Sequence, residues 1–349
     1  MKKILLMLVV LFTMSANIFA DGLTATLQQG DTMTPYYGVN AFQEAYAAAQ
    51  DGAIITLSSG KFNDVATVEK QISIIGSYAF NNENASKTFL NSMTIAANNV
   101  KIEGVYFSGT VTFGSSSLKS IANCTLKRCW IETSLYGSYK HDNTLVDQCV
   151  IKKEYAMEKS CNYCIKNSTI GYFASMNSST NIAYISNCIV WDYIRFIKSG
   201  SAYITDSSCK RPFAIYKNNI LGIYKTENSD RSVYLNSPSE FYNNHFCQAY
   251  MYPNKEKPYS FLNCVEIKYG TGCVNEKNTK ADLKFNNFYE YPAHPLDAPL
   301  GSDGTAVGPY GGTGFSEYPA IPRIISKSID SNSNAEGKIN VKITVKAEQ

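Results

Sequence analysis

One six-residue pattern recurs along the chain as LKRCWI (126–131), VDQCVI (146–151), IKNSTI (165–170), ISNCIV (185–190) and ITDSSC (204–209). Its central small residue falls at positions 129, 149, 168, 188 and 207, in steps of 20, 19, 20 and 19. A fixed period of this length is typical of a solenoid, in which each repeat buries its apolar face only against its neighbours. Apolar and polar residues alternate within the pattern, which indicates strands rather than helices.

Looser copies of the pattern extend it toward the C-terminus, at FYNN (241–244), FLNC (261–264) and FNN (285–287). Several short strands and turns in every twenty-odd residues predict an all-β fold, a parallel β-helix of about nine to eleven coils. The expected right-handedness follows from the general rule for parallel crossover connections.

An amphipathic helix is predicted over residues 38–50, ahead of the first coil. Asn40 and Gln43 have the spacing of a capping box, and Gly52 follows as a stop signal. Three apolar side chains should share one face of this helix, those of Val39, Phe42 and Tyr46.

This helix, followed by AIITLSSGKF (53–62) and KQISIIG (70–76), resembles the entry to the parallel β-helix proteins of the pectate-lyase-like superfamily. The resemblance covers roughly residues 35–290 and is specific for the fold. It implies that the helix plugs the open end of the first coil, which would otherwise expose both the core and an unpaired strand edge. The superfamily includes lyases and glycosidases, so the resemblance alone implies no single activity.

The chain is predicted to divide into five segments. Lys2 and Lys3 precede an apolar run that ends in small residues at Ala20, which is the pattern of a secretory signal peptide over residues 1–20. The other four segments are an N-terminal segment with the capping helix (21–52), the β-helix (53–290), a Gly/Pro-rich closing segment (291–320) and a C-terminal β-hairpin or partial module (321–349).

The last sixty residues resemble the tails that follow β-helices in exported proteins of gut-dwelling Gram-negative anaerobes. The resemblance implies that the glycine-rich stretch 301–319 closes the last coil and that two strands, 321–329 and 338–345, form a small appendage. A hairpin alone is marginal in water, so we expect it to pack on the β-helix, pair with another chain or belong to a larger domain.

Charge and hydropathy exclude several classes of partner. Removing the two signal lysines from the 32 basic residues leaves 30, against 29 acidic residues, which argues against nucleic acid or an anionic membrane as the main partner. No second long apolar segment follows the signal, so we expect no transmembrane segment and export to the periplasm, the cell surface or the medium. The 25 tyrosines suit strands and also stacking on sugars.

Ten cysteines in an exported chain suggest disulfides, but the repeat argues otherwise for half of them. We interpret the CxxC at 161–164 as a local disulfide or two free thiols rather than a zinc site. Five cysteines at repeat positions are predicted to be buried and unpaired: Cys129, Cys149, Cys188, Cys209 and Cys264. The disulfide state of the other five stays open: Cys124, Cys161, Cys164, Cys247 and Cys273.

Asparagine and aspartate recur beside the central position of the repeat. Such a line is compatible with a calcium or sugar site, but a ladder of hydrogen-bonded turn residues explains better why it returns at every coil. We therefore predict no cofactor and no metal ligand. The line comprises Asn167, Asn187, Asp206, Asn218, Asn243, Asn263 and Asn286.

No catalytic residue can be assigned from the sequence. KRPF (210–213) faintly resembles the Arg-x-Pro-x-x-Arg segment of pectate lyases, but the second arginine is missing. An adjacent Asp-Asp pair and a Gly-His-Gly, as used by polygalacturonases, are also missing from the sequence. The acidic candidates are Asp147, Asp192 and Asp206, each more consistent with a turn or surface position. The weak catalytic candidates that we retain are Arg211, Asp192 and Asp206.

These observations favour an exported, non-enzymatic surface protein that binds glycans or host macromolecules through a tyrosine-bearing β face. The first alternative is a polysaccharide lyase or glycoside hydrolase whose active side lies in the irregular region 210–240. The second is a structural component of an envelope or fibre assembly, in which strand 338–345 supplies a pairing edge. The sequence leaves the ligand and the oligomeric state open.

Overall fold

The computed structural model is a β-solenoid of short parallel strands, with a single α-helix among the described residues. The structure describes residues 22–80, 86–115, 120–137, 140–157, 162–175, 183–190, 194–196, 214–217, 219–221, 239–242, 244–246, 274–275, 300–319, 323–329, 332–333, 337–339 and 341–346. The predicted signal peptide lies outside this set. The predicted all-β solenoid is confirmed.

Sheet 1 forms one wall of the solenoid. Nine of its strands pair in parallel, one above the next, and two antiparallel strands cover its N-terminal edge. In spatial order the strands are Thr32–Tyr37, Thr24–Gln29, Ile54–Leu57, Ser73–Ile75, Lys101–Glu103, Thr125–Lys127, Thr144–Asp147, Tyr163–Lys166, Ala183–Ser186, Ala214–Lys217 and Ser239–Tyr242.

Sheet 2 forms the other walls as two runs of strands that merge where two long strands pass through both. The first run is Gly60–Lys61, Thr88–Leu90, Val105–Phe107, Trp130–Ile131, Val150–Met157, Thr169–Ser175, Ile189–Val190, Ile220–Leu221, His245–Phe246 and Val274–Asn275. The second run is Thr67–Val68, Met93–Ile95, Val111–Phe113 and Leu135–Gly137, joined through the long strands to Ile194–Phe196. A small parallel pair, Ser120–Ala122 with Lys140–Asp142, stands beside them.

The N-terminal end of the solenoid is capped by the hairpin Thr24–Gln29/Thr32–Tyr37 and by helix α1, Ala41–Ala48. The hairpin pairs antiparallel with Ile54–Leu57 and so covers the strand edge, a role that the sequence did not predict. Phe42 is fully buried beneath the helix, as expected of a plug.

Two details of the predicted helix are wrong. Asn40 makes no side-chain capping bond, because its Oδ1 accepts from Asn63 Nδ2 at 2.6 Å while Gln43 donates to the Asp64 carbonyl at 2.8 Å. Val39 lies before the helix and is 54% exposed, so it does not share the buried face. Asn40 and Gln43 therefore bind the loop at residues 63–64 instead of the helix terminus.

The core is made of like residues stacked along each wall. In sheet 1 one inward position is filled in successive coils by Ile55, Ile74, Ile102, Leu126, Val146, Ile165 and Ile185. Each is at most 1% exposed, and burial of such a side chain contributes about 1.5–3 kcal/mol. The alternation of these residues with polar outward ones accounts for the pattern that the sequence repeats.

Left-handed residues turn the chain at one or both of two corners in several successive coils. Asparagine tolerates this conformation better than other non-glycine residues, which explains the line of Asn beside the repeat centre. The non-glycine residues with φ between 47° and 59° are Asn99, Asn123 and Asn143 before sheet 1, and Arg128, Gln148, Asn167 and Asn187 between sheets 1 and 2. The predicted turn role is confirmed for Asn167 and Asn187; the other members of the predicted line lie outside the described residues.

The central position of the repeat forms an inner column next to these corners. Cys129, Cys149 and Cys188 are fully buried free thiols, as predicted. Each donates to the carbonyl two residues earlier, at 3.2–3.3 Å. Cys124 is also a buried free thiol, and Cys164 is a free thiol that is half-buried.

The column continues with asparagine instead of ITDSSC (204–209). Ala183–Ser186 pairs directly with Ala214–Lys217, and Cys188 N donates to Asn219 Oδ1 at 2.8 Å, so position 219 follows 188 in the stack. The predicted place of ITDSSC is therefore wrong, and Leu221 occupies the slot predicted for Cys209. Asn219 fits a buried slot because its amide also donates to the Ile185 carbonyl.

A similar correction applies to FLNC (261–264). In sheet 2 the strand that pairs with His245–Phe246 is Val274–Asn275, so the register does not place position 264 next in this column. Cys209 and Cys264 themselves lie outside the described residues.

The glycine-rich segment lies along the side of the solenoid. Residues 300–319, here called the strap, follow the left-handed corner between sheets 1 and 2. Asn167 Nδ2 donates to the carbonyls of Pro309 at 2.9 Å and Gly311 at 2.6 Å, and Gln148 Nε2 donates to Gly314 O at 2.8 Å. The strap thus contacts coils in the middle of the solenoid. The resemblance implied instead that this segment closes the last coil.

The C-terminal appendage is the antiparallel hairpin Arg323–Ile329/Val341–Lys346, as expected. Its second strand is exposed along its whole length, including Val341, Ile343 and Val345 at 52–56%. In the described part of the chain, no helix is long and apolar enough to span a membrane.

Candidate functional site

The catalytic candidates suggested by the sequence, Arg211, Asp192 and Asp206, all lie outside the described residues. Asp147 lies on the outer side of sheet 1 and is nearly buried, with Lys166 Nζ 3.5 Å from its Oδ2. Burial raises its pKa even though Lys166, Lys127 and Arg128 lie nearby. Among the described residues, no cluster of three or more His, Cys, Asp or Glu side chains could hold a metal ion.

His141 is a core residue. It is fully buried, its ring lies between those of Phe113 and Tyr163, and its Nδ1 is 3.0 Å from Thr144 Oγ1. Burial lowers the pKa of His141 to about 4, so the ring is neutral near pH 7. This environment favours a structural role over proton transfer to a ligand.

Aromatic side chains line three successive coils on the outer side of sheet 2. Phe89 pairs with Tyr106, and Tyr106 with Trp130, so the three occupy the same outward position. Their ring centroids are 5.1 Å apart for Phe89–Tyr106 and 6.1 Å for Tyr106–Trp130, and the latter rings are inclined by only 17°. We call this surface the ledge; it comprises Lys87, Phe89, Tyr106, Trp130, Glu132 and Lys152.

Glu132 holds the ledge together. Its Oε2 accepts from Tyr106 OH at 3.0 Å and from Trp130 Nε1 at 2.8 Å, while its Oε1 pairs with Lys152. Burial disfavours the charged carboxylate, but the hydrogen bonds from Lys152, Trp130 and Tyr106 outweigh it and lower the pKa of Glu132. The carboxylate therefore stays charged at neutral pH and fixes both aromatic side chains.

Lys87 extends over the rings. Its Nζ lies 4.7 Å from the ring centroid of Tyr106, 5.9 Å from that of Phe89 and 6.0 Å from that of Trp130. These distances are typical of cation–π contacts. Burial lowers the pKa of Lys87, while the charge of Glu132 acts in the opposite direction.

The strap covers the far side of the same aromatic cluster. Trp130 packs edge-on against Phe80, and Phe80 against Phe315 of the strap, with centroid distances of 6.1 and 5.3 Å. Trp130 is 3% exposed, whereas Phe89 and Tyr106 are half-buried. The accessible part of the ledge is therefore Phe89, Tyr106 and the charged groups around them.

The sequence contained a signal for the ledge that the repeat analysis did not use. In LKRCWI the residue after the central cysteine is Trp130, which points away from the interior of the coil, whereas the following Ile131 belongs to the main core. Val150, Thr169 and Ile189 occupy the equivalent position in later coils. Trp130 therefore departs from the small and aliphatic residues that later coils have at this position.

In comparisons with protein-family models, curated proteins and solved structures, no match to this chain was found. The functional argument therefore rests on the geometry of the ledge.

Proposed function

We propose that this chain is an exported, adhesin-like surface protein that binds glycans on the ledge. The observation that carries the proposal is the alignment of Phe89 and Tyr106 at one outward position of neighbouring coils, with both rings half-buried and the Tyr106 hydroxyl bound to Glu132. Sugar rings bind proteins by stacking their apolar C–H faces on such rings, while charged neighbours bind the hydroxyl groups.

The rung spacing favours an extended glycan over a single sugar. Adjacent strands lie about 4.8 Å apart, which is close to the length of one sugar residue in an extended chain. A glycan running along the solenoid axis would therefore meet one ring per residue. Several weak contacts of this kind add to a useful affinity without any deep cavity.

Export and the superfamily are part of the same proposal. The signal-peptide pattern over residues 1–20 supports secretion to the cell surface, medium or periplasm. The helix-plugged entry at 38–76 supports membership of the pectate-lyase-like superfamily, and the tail supports an origin among gut-dwelling Gram-negative anaerobes. Lyase or glycosidase activity stays an alternative, with Arg211, Asp192 and Asp206 as its candidates.

A glycan array followed by calorimetry tests the proposal. Tyr106→Ala should weaken binding of the best glycan by roughly tenfold or more, because it removes one stacking platform. Tyr184→Ala is the matched control, since Tyr184 is a 46%-exposed tyrosine on the outer side of sheet 1. Equal loss in both variants, or none in Tyr106→Ala, would refute the ledge as the site.

The same glycans should be monitored for new reducing ends and for unsaturated products that absorb in the ultraviolet. Stable binding without turnover supports the binding protein. Turnover that disappears in Arg211→Ala or Asp206→Asn, but persists in Tyr106→Ala, would favour the enzyme.

One observation favours a second candidate function, a structural role in an envelope or fibre assembly. Among the described residues, the strand Val341–Lys346 pairs only with Arg323–Ile329, and it exposes three apolar β-branched side chains. Such an open edge can accept another strand. Removal of residues 338–349 should then abolish assembly seen by light scattering, and unchanged particle size would contradict this role.

A further inference from the structure

The surface beside the ledge carries uncharged polar side chains. Asn91 follows Phe89 by two positions, and Ser108 follows Tyr106 by two positions, so each lies on the same side of its coil as the ring. Both side chains are exposed, and Ser108 Oγ donates to Asn91 Oδ1 at 3.2 Å. We call Asn91 and Ser108 the polar row, because they run from one coil to the next alongside the accessible rings.

The backbone under the polar row is held in register. Gly109 N donates to Asn91 O, and Ser108 N donates to Leu90 O, both at 2.9 Å, so the two coils stay paired past the ends of their strands. Asn91 N donates to Asp64 Oδ1 at 2.7 Å. These bonds hold the Asn91 amide and the Ser108 hydroxyl in place at the surface, which reduces the entropy that a ligand would lose on binding them.

The charged groups of the ledge are already engaged with the ledge itself. Both carboxylate oxygens of Glu132 are in use, Oε2 by Tyr106 and Trp130 and Oε1 by Lys152. The Lys87 ammonium lies over the rings, and burial lowers the pKa of Lys87 because it disfavours the charged form. A charged ligand would have to compete with these contacts or be desolvated without a partner, whereas an uncharged ligand would not.

We propose that the ledge and the polar row together recognise neutral glycans, whose hydroxyl groups bind Asn91 and Ser108 while their sugar rings contact Phe89 and Tyr106. The inference rests on the proposed glycan-binding function and names its ligand class. Equatorial hydroxyl groups project from the edge of a sugar ring, so a sugar that lies on the aromatic side chains directs them toward the polar row. The side chains of asparagine and serine can each donate and accept hydrogen bonds, as sugar hydroxyl groups do.

Calorimetry with the full-length protein tests the ligand class. Three β-1,4-linked tetramers are compared at pH 6, one of glucose, one of glucosamine and one of glucuronic acid. The glucose tetramer should bind roughly tenfold more tightly than either charged tetramer, because it brings no charge to a surface whose charges are already paired.

Four variants locate the hydroxyl contacts. Asn91→Ala and Ser108→Ala should each weaken binding of the glucose tetramer by roughly three- to tenfold, since each removes about one hydrogen bond. Asn98→Ala is the matched control, because Asn98 is an exposed asparagine at the corner before sheet 1, and it should leave the affinity unchanged. Lys61→Met removes the exposed charge one coil before Phe89 and should also leave the affinity unchanged.

The outcomes separate this inference from the proposal on which it rests. Equal or tighter binding of a charged tetramer overturns the neutral class but leaves glycan binding on the ledge intact, and so does a loss in Lys61→Met as large as that in Asn91→Ala. A loss in Tyr106→Ala without any loss in Asn91→Ala and Ser108→Ala overturns the role of the polar row.

The glycan array decides the case in which none of the tetramers binds. A charged glycan as the best ligand on the array would then overturn the neutral class, and a neutral one would support it. An array without any binding overturns both proposals.

Discussion

The inner column and the ledge meet in the coil of Cys129 and Trp130, yet they are built on opposite principles. Along the column, positions 129, 149 and 188 repeat one residue type, and each buried thiol donates to a carbonyl of its own coil. Along the ledge, Phe89, Tyr106 and Trp130 give way to Val150 and Thr169 in the next coils. Repetition holds the solenoid together, and departure from repetition marks the surface that we propose as the binding site.

The largest effect is expected when charge is placed inside the column. Cys188→Asp should lower the free energy of unfolding by about 4 kcal/mol or more, since it buries a carboxylate without a counter-charge. Cys164→Asp, on the outer side of sheet 1, should cost about 1 kcal/mol. Urea unfolding followed by circular dichroism measures both, and equal losses would show that the column is not the core.

The buried histidine should make the core sensitive to acid. The pKa of His141 is lowered to about 4 in the folded state, against an ordinary value of 6.5. As the pH falls, the unfolded chain therefore takes up this proton at a higher pH than the folded protein does. The contribution of neutral His141 to the free energy of unfolding is complete above pH 6.5 and is lost as the pH falls toward 4, about 3 kcal/mol in all.

A matched variant isolates the contribution of His141 to the pH dependence of stability. His141→Gln should show a smaller drop in unfolding free energy between pH 7 and pH 4.5 than the parent protein. Identical pH dependence in both proteins would mean that His141 takes up its proton without opposition from the fold.

The strap should depend on a single corner asparagine. Asn167→Ala removes two hydrogen bonds to the strap carbonyls, removes the acceptor for Thr313 Oγ1 at 2.9 Å, and places alanine at φ 47°, for about 2–3 kcal/mol. Asn143→Ala is the control, because Asn143 has φ 48° but binds Asn123 on the exposed surface. We expect about 1 kcal/mol there.

Limited proteolysis measures directly how firmly the strap is held on the solenoid. Cleavage within residues 300–319 should accelerate in Asn167→Ala and stay slow in Asn143→Ala. Equal protection in both would show that other contacts, such as Phe315 on Phe80, hold the strap.

On the ledge, a substitution should change glycan binding more than it changes stability. Glu132→Gln should cost about 0.5 kcal/mol of stability, because solvent screens this partly exposed carboxylate, yet it should weaken glycan binding several-fold. Because the folded state lowers the pKa of Glu132, the contribution of its carboxylate to stability is present at neutral pH. That contribution is lost as the pH falls through the lowered pKa. Glycan binding that stays constant as the pH falls through the lowered pKa of Glu132 would contradict the role of the carboxylate.

The sequence predicted what repeats and missed what does not. The steps of 20, 19, 20 and 19 predicted the coils and the buried Cys129, Cys149 and Cys188, because like residues must stack at one position. ITDSSC was misplaced because a small central residue alone satisfies the pattern, whereas the next slot is filled by Asn219, which bonds both neighbouring backbones.

The ledge and the strap depend on contacts that no local pattern contains. Asn167 binds Pro309 from 142 positions away, and Tyr106 meets Glu132 only because their coils are adjacent. A period analysis reports the inward positions, since burial constrains them in every coil. Outward positions such as Trp130 are constrained by contacts with distant segments, so they appear as exceptions to the period.

A crystal structure of the protein with its best-bound glycan tests the central claim most directly. We predict sugar rings over Phe89 and Tyr106, one per coil, with the inner column unchanged. Glycan density elsewhere, around Arg211 for instance, with the Phe89 and Tyr106 rings uncovered, would contradict the account.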